Sequence, residues 1–151
     1  MDFRKHILLA LLGFFLSAFQ DKVINPQNPD NFIVIGNEIG TKTITRKQLT
    51  AIFKSEKAFW SNGNPVLVVI PSVKNELVNS VAKEVYKTSV SGMQKFWVSL
   101  VFQGRANAPH SFDSDEETIK FVQKNKGAIG FISKNNAEKA ANLLIDTERK
   151  Q

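Results

Sequence analysis

A chain of 151 residues, 42% hydrophobic and 23% charged, has the length and balance of one globular domain. It has no cysteine, which excludes disulfides and thiol chemistry, and its two histidines leave little from which to build a metal centre. The formal charge of +6 is spread among acids with no Lys/Arg run longer than two, the pattern of a solvated mixed surface, so no nucleic-acid partner is expected.

Arg4, Lys5 and His6 precede an apolar run from Ile7 to Phe19 that is interrupted only by Gly13 and Ser17. A positive start ahead of a short apolar stretch predicts a secretory signal peptide over residues 1–20. The run is short for a membrane span, which needs about 20 apolar residues; an uncleaved anchor is the competing reading. Export would place the mature chain in the periplasm or outside the cell, where ATP and NAD(P)H are scarce, and no cofactor is expected. A disulfide-free exported domain of this size suits a bacterial periplasm. Residues 21–30 are polar with two prolines and read as a linker, leaving a domain over 31–147.

Phe32-Ile33-Val34-Ile35 is a β-branched apolar run and predicts a buried strand, with Gly36 and Gly40 bounding the loop after it. Thr45-x-x-Gln48 is a capping box that opens a short helix whose stripe is Leu49, Ile52 and Phe53. Ser61-Asn62-Gly63-Asn64-Pro65 is a dense turn signal. Val66 to Ile70 is apolar on both faces and predicts a strand in the middle of a covered sheet, stopped by Pro71. A helix follows from Ser72 or Asn75, with Leu77, Val78, Val81, Ala82, Val85 and Tyr86 on one broad face. Ser91-x-x-Gln94 predicts the cap of the next helix, with Met93, Phe96, Trp97, Leu100 and Val101 as its stripe and Gly104 as its end. Residues 105–113 read as a loop. Ser114-x-x-Glu117 caps a further helix that Gly127 closes as a C′ residue, and Ala128 to Ile132 is another strand. The tail from Ala137 is a helix, or a turn leading to a strand at Asn142–Asp146. This order predicts an α/β three-layer sandwich, a small central sheet flanked by helices.

Three chemistries can be weighed on these residues. The acids Asp113, Asp115, Glu116 and Glu117 lack the ligand spacing of a calcium loop and are better explained as first-turn acids complementing a helix dipole, so no metal is expected. His110, Ser111 and Asp113 lie too close in sequence for triad geometry, and no nucleophile elbow is present; no catalytic residue is expected. Anion capture is the serious candidate. Ser72, Lys74 and Asn75 lie just after the central strand at the start of a helix, where backbone N–H groups and the positive helix end converge. The alternative is that Ser72 or Asn75 only caps the helix, and that the Glu76 carboxylate occupies the field an anion would use. Trp60, Phe96 and Trp97 are expected in the core.

The landmarks taken together resemble a known family. Ile44-Thr45-x-x-Gln48-Leu49-x-x-Ile52-Phe53 followed by Trp60-x-x-Gly63-x-Pro65 resembles the segment of phosphate-binding proteins of ABC transporters that reads "IF-G" then "W-DG". Tyr86-Lys87-x-Ser89, Gln94 to Trp97, Phe102-Gln103-Gly104 and Pro109 resemble its "ks…q-yW…FtG…pP" stretch, and Lys126 to Phe131 its "pGaIGY" strand. The resemblance runs from Phe32 to Ile132 and implies one lobe of a type 2 periplasmic-binding-protein-like fold. It implies a non-enzymatic role in binding phosphate or a similar small anion, with Ser72 standing in for part of the phosphate loop and Lys74 supplying charge. The family's Ser-Gly-Thr and arginine are absent from Ile70 to Glu76. A module that keeps the fold without the ligand site and binds a periplasmic or membrane protein instead is the alternative.

Overall fold

The computed structural model describes residues 31–148; the predicted signal peptide and linker lie outside the described residues. Six strands form one mixed sheet: β1 (Phe32–Gly36), β2 (Thr43–Thr45), β3 (Leu67–Pro71), β4 (His110–Phe112), β5 (Ala128–Ser133) and β6 (Leu144–Glu148). Their spatial order is β2-β6-β1-β5-β3-β4. β3 lies between β5 and β4 and is parallel to both, whereas β1 runs antiparallel to β5 and β6. The helices are α1 (Arg46–Phe53), α2 (Val78–Glu84), α3 (Val90–Phe102) and α4 (Asp115–Lys124), with 3₁₀ turns over Lys134–Leu143.

The sandwich follows from strand periodicity, since successive side chains point to opposite faces. Phe32 and Val34 of β1, Val68 and Ile70 of β3, and Ile129 and Phe131 of β5 pack with Leu49, Ile52 and Phe53 of α1, Val78 and Val81 of α2, and Met93, Trp97 and Leu100 of α3. The residues between them, Ile35, Val69, Ala128 and Ile132, pack with Ile119 and Val122 of α4 and with Ala140 and Leu143 of the 3₁₀ turns. The three long central strands are apolar on both faces because both faces are covered.

The Thr45 capping box forms: the Gln48 N–H donates to Thr45 Oγ1 at 3.2 Å and the Thr45 N–H to Gln48 Oε1 at 2.8 Å. Thr45→Ala is therefore expected to cost about 1 kcal/mol and to lower the melting temperature by about 3–6 °C, read by thermal circular dichroism. An unchanged transition would show that the cap contributes nothing. At the end of α3 the Gly104 N–H reaches the Val101 carbonyl and the Arg105 N–H the Leu100 carbonyl, both at 3.0 Å, with Gly104 at φ +65°. That is a Schellman stop with glycine at C′.

Four expectations need correction. The cap of α3 is Ser89, not Ser91: its Oγ accepts from the Gly92 N–H, and Ser91 falls inside the first turn. α2 starts at Val78, later than Ser72 or Asn75, because two side chains bond the local backbone first. Ser72 Oγ accepts from the Lys74 N–H and Asn75 Oδ1 from the Leu77 N–H, and such turns compete with helix. α4 ends at Lys124 with Asn125 as its cap, so Gly127 lies beyond the C′ position and owes its φ of +82° to the turn into β5. Residues 110–112, read as loop, form the edge strand β4. The tail resolves into 3₁₀ turns and then β6, which pairs in parallel with the unpredicted three-residue β2.

Candidate anion site at the end of β3

The parallel pairing of β3 with β4 sets Pro71 opposite Phe112, so the residues that follow each strand leave the sheet side by side. These are Ser72 to Asn75 on one chain segment and Asp113 on the other. Ser72 Oγ donates to Asp113 Oδ1 at 2.5 Å, and Lys74 Nζ lies 3.6 Å from Asp113 Oδ2. The Ser72 N–H is held by the Phe112 carbonyl. Two of the three predicted binding residues thus converge on the two oxygens of one carboxylate.

Asn75 behaves differently. It is buried, donates through its amide to the Phe112 carbonyl at 3.4 Å and accepts from the Leu77 N–H at 2.9 Å. Its side chain ties the loop to β4 and starts the turn into α2. The capping alternative raised by the sequence therefore describes Asn75, although what it satisfies is a turn before α2.

Lys74 and Asn75 border a shallow depression whose rim also carries Glu76, Asp113, Asp115 and Glu116. The acids have separate partners. Asp115 Oδ2 accepts from the Ser133 N–H at 2.8 Å and from Asn136 Nδ2 at 2.7 Å, which pins the first turn of α4 to the end of β5. Lys139, bonded to Glu116 at 2.9 Å, holds that exposed carboxyl below its usual range. Ser114 Oγ donates to Glu117 Oε2 at 3.0 Å. Among the described residues no group of three or more metal-ligating side chains is assembled. The residues His110, Ser111 and Asp113 do not act together either, since the His110 ring stacks on Phe121 at 4.3 Å while Asp113 faces Ser72.

Trp60 and Trp97 are buried and spend their N–H groups inside the fold, on the Gly127 carbonyl at 2.8 Å and on Tyr86 Oη at 2.9 Å; Phe96 is half-buried. Asp113 is the residue whose role sequence reasoning missed. Its position in the sequence reads as that of a first-turn acid, but the acids in the first turn of α4 are only Asp115, Glu116 and Glu117, and the contact of Asp113 with Ser72 depends on the β3–β4 pairing.

No protein-family model matches this chain and no curated protein matches it significantly. Solved structures do match. An ABC-type phosphate transport receptor from Vibrio cholerae aligns at 18% identity and a TM-score of 0.52, over 81% of this chain and 48% of that one. PstS from Borrelia burgdorferi aligns at 16% and 0.54, over 81% and 49%. A possible phosphate binding protein from Planctomyces limnophilus aligns at 15% and 0.57, over 79% and 42%. The shared property at such identities is the fold: a mixed α/β sandwich consistent with one lobe of the phosphate-binding-protein type. The chain spans less than half the length of each of these proteins.

Proposed function

We propose that this chain is an exported, non-enzymatic solute-binding domain that takes phosphate or a similar small oxyanion at Ser72 and Lys74, in a loop held in shape by Asn75. The observation that carries this reading is the convergence of Ser72 Oγ and Lys74 Nζ on the two oxygens of Asp113. Paired donors aimed at paired oxygens are what an oxyanion requires, and here an internal carboxylate sits where the ligand's oxygens would sit. The fold shared with the V. cholerae phosphate transport receptor supports the same reading.

Asp113 also shapes the choice of ligand. An ionised carboxylate only accepts hydrogen bonds, so, once a bound oxyanion displaces it from Ser72 and Lys74, it opposes a ligand without protons and can accept from one that retains a proton. Hydrogen phosphate at neutral pH has such a proton and sulfate has none. The acidic rim and the exposure of Lys74 keep binding weak, because water competes for each donor.

Isothermal titration of the protein is expected to detect phosphate and not sulfate. Lys74→Ala is expected to weaken phosphate about fivefold, the upper worth of one solvent-exposed ion pair. Asp113→Asn is expected to narrow the difference between the two anions. Absence of heat at millimolar phosphate with the fold intact would sink the proposal. A second reading is supported by the same geometry: Ser72 is already satisfied by Asp113, as in a domain that keeps the fold and binds a periplasmic or membrane protein. A pull-down from periplasmic extract that retains no protein would count against that reading.

A further inference from the structure

Charge and apolar exposure are segregated on this molecule. Between Glu84 and Asp113 the chain contains no acidic residue, while Lys87, Lys95 and Arg105 lie within that stretch. α3 occupies most of it. Met93, Trp97 and Leu100 turn into the core, yet the outward side, beside Ser91, Gln94, Lys95 and Ser99, also exposes large apolar groups: Val98 is 68% exposed and Phe102 93%, with Val101 and the nearby Val73 also exposed. A contiguous exposed apolar patch marks a contact surface.

Two adjoining depressions run along α3, and a third meets the helix only at Trp97. One lies between the end of β3 and α3 and includes Val73, Val90 and Val98. The next covers Val98 and Phe102 and includes Lys95. The third, beside Trp97, includes Lys57, Phe59 and Arg105. No carboxylate lines any of them, whereas the depression beside Lys74 carries four. Among the described residues, no ion pair takes up Lys95 or Arg105, whereas Lys57 Nζ lies over the Trp60 ring at 5.3 Å.

We propose that the outer face of α3 docks on an anionic phospholipid surface, with Phe102 and Val98 entering the boundary between headgroups and acyl chains and Lys95 and Arg105 meeting lipid phosphates. Charge complementarity selects this occupant: an apolar centre flanked by cations and free of acids is the pattern of an interfacial helix. A second copy of the chain would set Lys95 and Arg105 against like charges. The shape agrees. Phe102 stands free at the end of α3, just before Gly104 turns the chain away, and a protruding ring suits a deformable surface that needs no matching pocket. Ser72 lines the first of these depressions, but Val98, Phe102, Lys95 and Arg105 take no part in the anion site, so variants at those four residues test the inference independently of anion binding.

The absence of cysteine makes a site-specific test direct. In the full-length protein, Val98→Cys is labelled with a polarity-sensitive fluorophore, and Lys120→Cys on α4 carries the same label as the control. The expected result is a blue shift at position 98, and none at 120, with vesicles of phosphatidylglycerol in phosphatidylcholine, and no shift with phosphatidylcholine alone. Added salt reverses the shift. In the labelled background, Phe102→Ser is expected to weaken vesicle binding roughly tenfold, and Lys95→Gln or Arg105→Gln about fivefold each. A shift equal at both positions, a shift equal on neutral vesicles, or no shift at all overturns the proposal. So does a shift that grows with protein concentration in the absence of vesicles, which would identify a second copy as the occupant.

Discussion

Gly127→Ala is expected to destabilise the domain by more than about 3 kcal/mol, a large part of the 5–15 kcal/mol that holds a typical domain folded. A Cβ at this position would lie 2.0 Å from the Pro65 carbonyl oxygen, and the backbone sits at φ +82°, where a side chain is strained regardless of space. The surrounding chain cannot move aside easily. The Gly127 N–H donates to the Asn37 carbonyl at 2.7 Å, and its own carbonyl accepts from Trp60 Nε1 at 2.8 Å and from the Leu67 N–H at 3.1 Å. A shift large enough to admit a methyl group would loosen β3, the loop after β1 and the buried Trp60 together. Gly104→Ala is the control. Gly104 has φ +65° but open space around it, so it should lose only about 1 kcal/mol through conformation. Urea unfolding of both variants reads the difference. Equal losses would mean that the contact with Pro65 does not limit the site.

Tyr86→Phe is expected to cost about 2–4 kcal/mol although it removes a single oxygen. Tyr86 Oη accepts from Trp97 Nε1 at 2.9 Å and donates to the Phe53 carbonyl at 2.8 Å, all within the core between α1, α2 and α3. Without the hydroxyl, a buried indole N–H and a buried carbonyl lose their partners at once, and neither can reach water. Burial pushes the phenol's pKa well above its usual value of about 10, against a smaller opposing pull from the Trp97 hydrogen bond. The neutral form is therefore the one the fold favours. Its contribution is complete below pH 10 and is lost as pH rises from there toward the raised value, because the unfolded chain releases the proton first. Tyr86 is the chain's one tyrosine, so phenolate absorbance reports it alone. That absorbance should appear together with loss of the circular dichroism signal; an ordinary titration near pH 10 in an intact fold would contradict the buried network. The Phe variant should show a shallower loss of stability over the same alkaline range.

What could be read from the residues in order was whatever local physics decides. The Thr45 box, the Gly104 stop and the apolar runs of β1, β3 and β5 each depend on neighbours within a few positions, and their chemistry is written there. The two-faced burial of β3 required a covered sheet, and with it the sandwich. Ser72 and Lys74 were legible as donors because a strand–loop–helix junction concentrates them. Contacts distant in sequence were decided by tertiary structure alone. β2 and β4 are three-residue strands with little pattern of their own, and they exist because β6 and β3 offer them open edges to pair with. Trp60 and Gly127 were separate landmarks until the fold joined them through one hydrogen bond. Asp113 faces Ser72 because β3 and β4 run parallel and release their following residues on the same side. The sequence by itself determined the long elements and their layers, and it singled out Ser72 and Lys74 at the strand–helix junction. Strand pairing decided that those donors already hold a carboxylate, since it brings together groups whose spacing in the chain shows no sign of their contact.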